Sequence, residues 1–145
     1  MIDSLILENL SDVDTHLVDS RLKVYHRATN DTSKINAINI IVEKSWDLNL
    51  WPKYNIWVHD FVKSKIESQP PTQALRSFNI ALAASLGKIG YLYDSKGHYH
   101  NLLKYYHKSL KLKKEIDHKY GIAVSLNCLG ILYNIQKDDS SALKV

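Results

Sequence analysis

Glycine and proline are scarce in this chain: five and three residues of 145, less than half the average usage of about 12%. Hairpins and β-turns draw on those two residues, so the shortage favours helices. Cysteine occurs once, as Cys128, which excludes an internal disulfide and a cysteine-based zinc site. A reducing compartment fits this, and a cytoplasmic location is the expectation. No apolar run approaches the ~20 residues that span a bilayer, so membrane insertion is not expected. The first 14 residues lack a basic leader and carry Asp3, Glu8, Asp12 and Asp14, which argues against a signal peptide in this stretch. Arginine is absent after Arg76.

What is present suits a folded helical unit. At 16.7 kDa the chain has the size of one domain. Leu, Ile, Val and Phe account for 43 residues, about 30%, above the ~20% below which charged chains stay disordered. Charge divides unevenly: 1–72 carries eight Lys/Arg against ten Asp/Glu, whereas 73–145 carries eleven against five. Seven lysines fall between 96 and 119. Among them Lys104, Lys108 and Lys111 share one helical stripe, read as a solvated outer face. Nucleic-acid binding would want arginine or interleaved aromatic residues, and is not expected.

Compared with itself at an offset of 40, the sequence repeats. Ala83, Ser85, Leu86, Gly90, Leu92 and Tyr93 recur as Ala123, Ser125, Leu126, Gly130, Leu132 and Tyr133, and Leu103-Lys104 as Leu143-Lys144. Phe78, Leu82, Leu86, Ile89 and Tyr93 step by three or four residues, the spacing of a helix with one buried face. Ile122, Leu126, Leu129 and Tyr133 repeat that stripe. Gly97 ends the first helix, since glycine accepts the positive φ of a helix end. A second helix runs from about His98, with Tyr99, Leu102, Leu103, Tyr106, Ser109, Leu110 and Ile116 inward. Asp117 to Tyr120 turn the chain into the next. Gly90 and Gly130 each cost about 1 kcal/mol relative to alanine in a helix interior, so a close helix approach is expected at both.

Upstream, Asn30-Asp31-Thr32 offers a cap for a helix over 32–49, and Pro52 suits the start of another over 52–68. Pro70-Pro71 ends it, and Thr72 caps the long helix that follows. Residues 2–10 and 12–28 read as one more pair, with Leu17, Val18, Leu22 and Tyr25 inward. Trp46, Trp51 and Trp57 read as core at the joins, Trp51 being the most exposed of the three. Near the other end, Asp138-Asp139-Ser140 reads as the cap of a second helix that has run about two turns by Val145. The last unit is therefore expected to be incomplete, in a fragment of a longer protein or in a chain that completes its stack against another copy.

The pattern Leu86-x2-Ile89-Gly90-x2-Tyr93-x3-Gly97-x-Tyr99-x2-Leu102-x3-Tyr106-x2-Ser109 resembles a tetratricopeptide repeat in its longer variant of about 40 residues. The next copy, Leu126-x2-Leu129-Gly130-x2-Tyr133, carries Ala142 where the first has Leu102. The likeness covers 78–137, a stretch similar to the tetratricopeptide arrays that precede the output modules of bacterial signalling proteins. It implies an all-α fold, a right-handed α-α superhelix of about seven or eight antiparallel helices. A divergent region, 1–71, would contain a degenerate repeat over 32–68, and 72–145 would hold repeats over 78–117 and 118–145. First helices of that family line a concave groove. By the resemblance, Ala84, Gly87, Tyr91, Asp94 and Ser95 would face it, followed by Val124, Asn127, Ile131 and Asn134. The family's chaperone-binding clamp of Lys and Asn is not recognisable, because Gly87 and Tyr91 stand where it would begin.

The chemistry of an enzyme is missing from the sequence. On a helix, His98 and His100 point about 200° apart and cannot share a metal. No phosphate-cradling glycine loop, Gly-x-Ser-x-Gly motif or paired carboxylate set occurs. Cys128, between Leu126 and Leu129, reads as a small apolar residue in a tight helix contact. The expectation is a noncatalytic scaffold, without cofactor or metal, that binds a protein or peptide and self-associates through its unfinished last unit. Asn127 and Asn134 could then bond an extended backbone. The alternative is a sensory or regulatory input segment of a bacterial signalling protein, a histidine kinase or DNA-binding regulator whose output module lies outside these residues.

Overall fold

The computed structural model describes residues 2–5, 7–95 and 97–143, with side chains at all of these except Ser4, Ser95, Gln136 and 138–143. The described residues form six α-helices and no strand. These are α1 (Asp12–Arg27), α2 (Asp31–Lys44), α3 (Trp51–Glu67), α4 (Thr72–Ser95), α5 (Tyr99–Glu115) and α6 (Lys119–Leu143).

Local chemistry sets most of the boundaries. Ser11 and Asn30 cap α1 and α2, their side-chain oxygens accepting from the N–H of Asp14 (3.0 Å) and Ser33 (2.8 Å). Helix α2 stops at Lys44, short of the expected 49. Ser45 Oγ accepts from the Asp47 N–H (3.1 Å) and Asp47 Oδ1 from the Asn49 N–H (2.7 Å), which draws the backbone into a turn. Pro52 occupies the first turn of α3, where no N–H is needed. Gln69, Gly97 and Asp117 follow α3, α4 and α5 with φ of 55°, 73° and 51°, the left-handed step that ends a helix. Past α4, the N–H groups of Gly97 and His98 return to the carbonyls of Asp94 and Tyr93, both at 3.0 Å.

Three expected features are corrected. Residues 2–10 form no helix: a single 3-10 turn covers Ile2–Ser4, and Asn9 adopts a left-handed φ of 57°. Ile2, Leu5, Leu7 and Leu10 still pack on the core, so their spacing serves an irregular strap. Thr72 is the first residue of α4 and not its cap. Asp138-Asp139-Ser140 start no new helix, because α6 runs unbroken to Leu143. The residue one period after Gly97 is Lys137, so the glycine that ends α4 has no counterpart in α6. The described helices therefore number six, not seven or eight. Ala142, assigned to repeat packing, has a side chain outside the described residues.

Consecutive helices run antiparallel. Trp51 meets Tyr91 with ring centroids 6.1 Å apart, and one turn along α3 Asn55 meets Ser85, further back along α4. Ser109 bonds Ala83, while just past the end of α5 the Ile116 carbonyl accepts from Arg76, further back on α4. Lys113 meets Ser125 and His107 meets Tyr133 across α5 and α6. Each helix packs on its neighbours in sequence, with a lesser contact between α2 and α4.

The main buried cluster lies toward the first half, joining Ile35, Ile38 and Ile41 of α2 to Trp51, Tyr54 and Val58 of α3, with Phe78 and Ala81 from α4. Trp51 is 4% exposed and Trp46 89%, the reverse of the expected order. Trp51 opens α3 and turns inward against Tyr91, whereas Trp46 rides the turn that ends α2 early. Of the signature residues, Leu102 is fully buried and Ser109 Oγ donates to the Ala83 carbonyl at 2.7 Å. A Cβ on Gly90 would lie 2.7 Å from the Tyr106 ring, so the close approach expected there exists. Around Gly130 nothing lies within 4 Å of such a Cβ. Leu126 and Tyr133 are about half exposed and Tyr99 is exposed as well. The cause is position: α6 has only α5 beside it, and Tyr99 opens α5 beyond the end of α4.

Candidate functional site

Helix α5 packs on both α4 and α6, but α4 and α6 make no comparable contact with each other. Between them lies a cleft of about 330 Å³. Ala84, Gly87, Lys88 and Tyr91 of α4 border it on one side, Val124, Ser125 and Cys128 of α6 on the other. Tyr106, Ser109 and Lys113 of α5 complete the lining. Small residues keep the space open: at Gly87 the nearest atom to a built Cβ is Ser109 Oγ, at 3.7 Å.

Four of the nine groove positions therefore meet in one concavity: Ala84, Gly87, Tyr91 and Val124. Asp94 is exposed one turn past Tyr91 and does not line the cleft, and the Ser95 side chain lies outside the described residues. Asn127, Ile131 and Asn134 are exposed on α6, also clear of the lining. Cys128, a free thiol, is half-buried at the border of the cleft and not enclosed in a tight helix contact.

Sequence reasoning missed Lys88 and Lys113. The signal for Lys113 was present, since Leu102, Tyr106, Ser109 and Lys113 step by four, three and four and share the inward face of α5. Lys104, Lys108 and Lys111 are exposed on the other side, as expected of a solvated stripe.

The electrostatics of the lining are one-sided. The Lys113 ammonium donates to Ser125 Oγ at 2.8 Å, and burial pulls its pKa below the usual lysine value. The Lys88 ammonium sits 5.7 Å from the centroid of the Trp51 ring, a cation–π contact. Neither lysine forms an ion pair among the described residues. The Tyr106 hydroxyl is pushed up to about 12, chiefly by burial and then by the Cys128 thiol, Asp94 and Tyr91. A second hollow of about 240 Å³ adjoins the first, sharing Lys88 and Tyr91 and bordered by Trp46, Glu43 and Trp51.

Among the described residues no three His, Cys, Asp or Glu side chains converge where a metal could sit, and no helix is long and apolar enough to cross a membrane. No protein-family model, curated protein or solved structure matches this chain.

Proposed function

We propose that the chain is a noncatalytic scaffold whose helices stack as a right-handed, tetratricopeptide-like superhelix and bind a protein or peptide segment along the exposed side of α4 and α6. The observation that carries this reading is the cleft. Ala84, Gly87, Tyr91 and Val124 border one concavity, and Asn127, Ile131 and Asn134 extend the exposed side of α6 beyond it. An extended segment laid there gains apolar contact from Tyr91 and Val124. Asn127 and Asn134 each offer both a donor and an acceptor to its backbone. A cytoplasmic location accompanies the reading, because the one thiol needs no oxidising partner.

The test is selection of peptides from a displayed library on the folded chain, followed by rebinding to Tyr91→Ala and Asn127→Ala. A loss of about tenfold, or ~1.4 kcal/mol, is expected in each variant with unchanged circular dichroism. Equal binding by wild type and both variants would overturn the assignment. A second reading, self-association, is favoured by α6, where Leu126, Ile131 and Tyr133 are about half exposed on a helix packed only on α5.

A further inference from the structure

We infer that the cleft between α4, α5 and α6 is a receptor for a small organic carboxylate with an apolar body, held by Lys88 and Lys113. The inference is separate from the peptide-binding reading, since Asn127, Ile131 and Asn134 take no part in it.

Two lysines border the cleft and no aspartate or glutamate does. Lys113 is half-buried, and its described hydrogen bond goes to a neutral hydroxyl, Ser125 Oγ. An ammonium withdrawn from water and met only by a hydroxyl is under-compensated, and an anion in the cleft would restore what burial removes. The lowered pKa of Lys113 has the sign this requires. Lys88 leans on Trp51 without an ion pair, and Glu43 borders the adjoining hollow and not this one.

The rest of the lining selects the class of anion. Its residues all stand in helix interiors, where backbone N–H groups are already bonded, so no helix-terminal amides converge on the cleft. No arginine lines it either, so the forked donors that favour phosphate are missing. Two point-charge ammoniums suit a singly charged carboxylate. Tyr91, Tyr106, Val124 and Ala84 supply the surface for an apolar body. At liquid density, about 330 Å³ holds roughly a dozen non-hydrogen atoms. That is the lower end of the range for small-molecule sites.

Cys128, the single thiol of the chain, borders the cleft and serves as a reporter. The rate of its alkylation by iodoacetamide is measured against increasing 4-phenylbutyrate and, separately, the uncharged 4-phenylbutyramide. Saturable protection by the acid is expected, with half-protection at a concentration at least tenfold lower than for the amide. Lys88→Gln and Lys113→Gln should each raise the acid's half-protection concentration about tenfold, with circular dichroism and urea midpoints checking that both fold. Lys104→Gln, on the outer face of α5, should leave it unchanged, and Lys113→Arg should restore part of the binding. Equal protection by acid and amide, or none up to the solubility of the acid, would overturn the inference. So would an equal loss in Lys104→Gln, which would mean a diffuse positive field.

Discussion

Tyr106 shows how one residue serves both packing and the cleft. Its ring fills the space that Gly90 leaves on α4, and its hydroxyl is held neutral to higher pH than a free tyrosine. The folded value of about 12 lies above the ordinary tyrosine value of 10.0, so folding favours the protonated phenol. That contribution is full below pH 10 and is lost as the pH rises toward 12, about 2 kcal/mol after allowing for partial exposure. Lys113 acts in the opposite sense: its lowered pKa makes the charged form costly, and the cost lifts as the pH rises toward 10.5. Urea unfolding at intervals from pH 9 to 11.5 separates the two. Tyr106→Phe keeps the Lys113 effect and loses the phenol's, so its stability should fall less steeply than that of wild type. Parallel curves would refute the assignment. This part of the site was legible only as packing, because spacing reports which face a residue occupies and not whether a cleft opens beside it.

At the level of the helix, Gly90 and Gly130 make a controlled pair. The repeat pattern assigns them one role, yet the Gly90 position faces the Tyr106 ring and the Leu102 carbonyl while the Gly130 position faces open space. Gly90→Ala must move a packed ring and should cost about 1–3 kcal/mol. Gly130→Ala meets nothing and should gain up to about 1 kcal/mol from helix propensity. Urea midpoints of the two variants are expected to move in opposite directions, and movement in the same direction would contradict the packing described. The pair also marks the limit of sequence reasoning. A repeat copies residues but not their neighbours, and α6 lacks on its outer side the helix that α4 has in α5. Helix ends were legible where a side chain or a left-handed residue fixes them, at Asn30, Pro52, Gly97 and Asp117. They were misread at 2–10, where Asn9 interrupts an apolar spacing, and at 138–140, where Lys137 replaces the glycine that would have broken the helix.

Over the whole molecule, burial is lopsided. The largest cluster runs from Ile2 to Ala81, whereas α6 adds Leu129 and Leu132 to a contact with one neighbour. Leu126, Ile131 and Tyr133 remain about half exposed on the same helix. If that surface associates, light scattering across a concentration series should show a mass rising from one chain toward two, and Leu126→Glu should shift the rise to higher concentration. A constant monomer mass would exclude this role for α6. The same asymmetry gives the cleft a direction of motion. One of its walls belongs to the most firmly embedded part of the chain and the other to the helix with the fewest ties, so thermal opening should swing the α6 wall and leave the α4 wall in place. Whatever occupies the cleft then acts as a latch between a fixed jamb and a moving door, and its binding free energy reappears as slower amide exchange along α6.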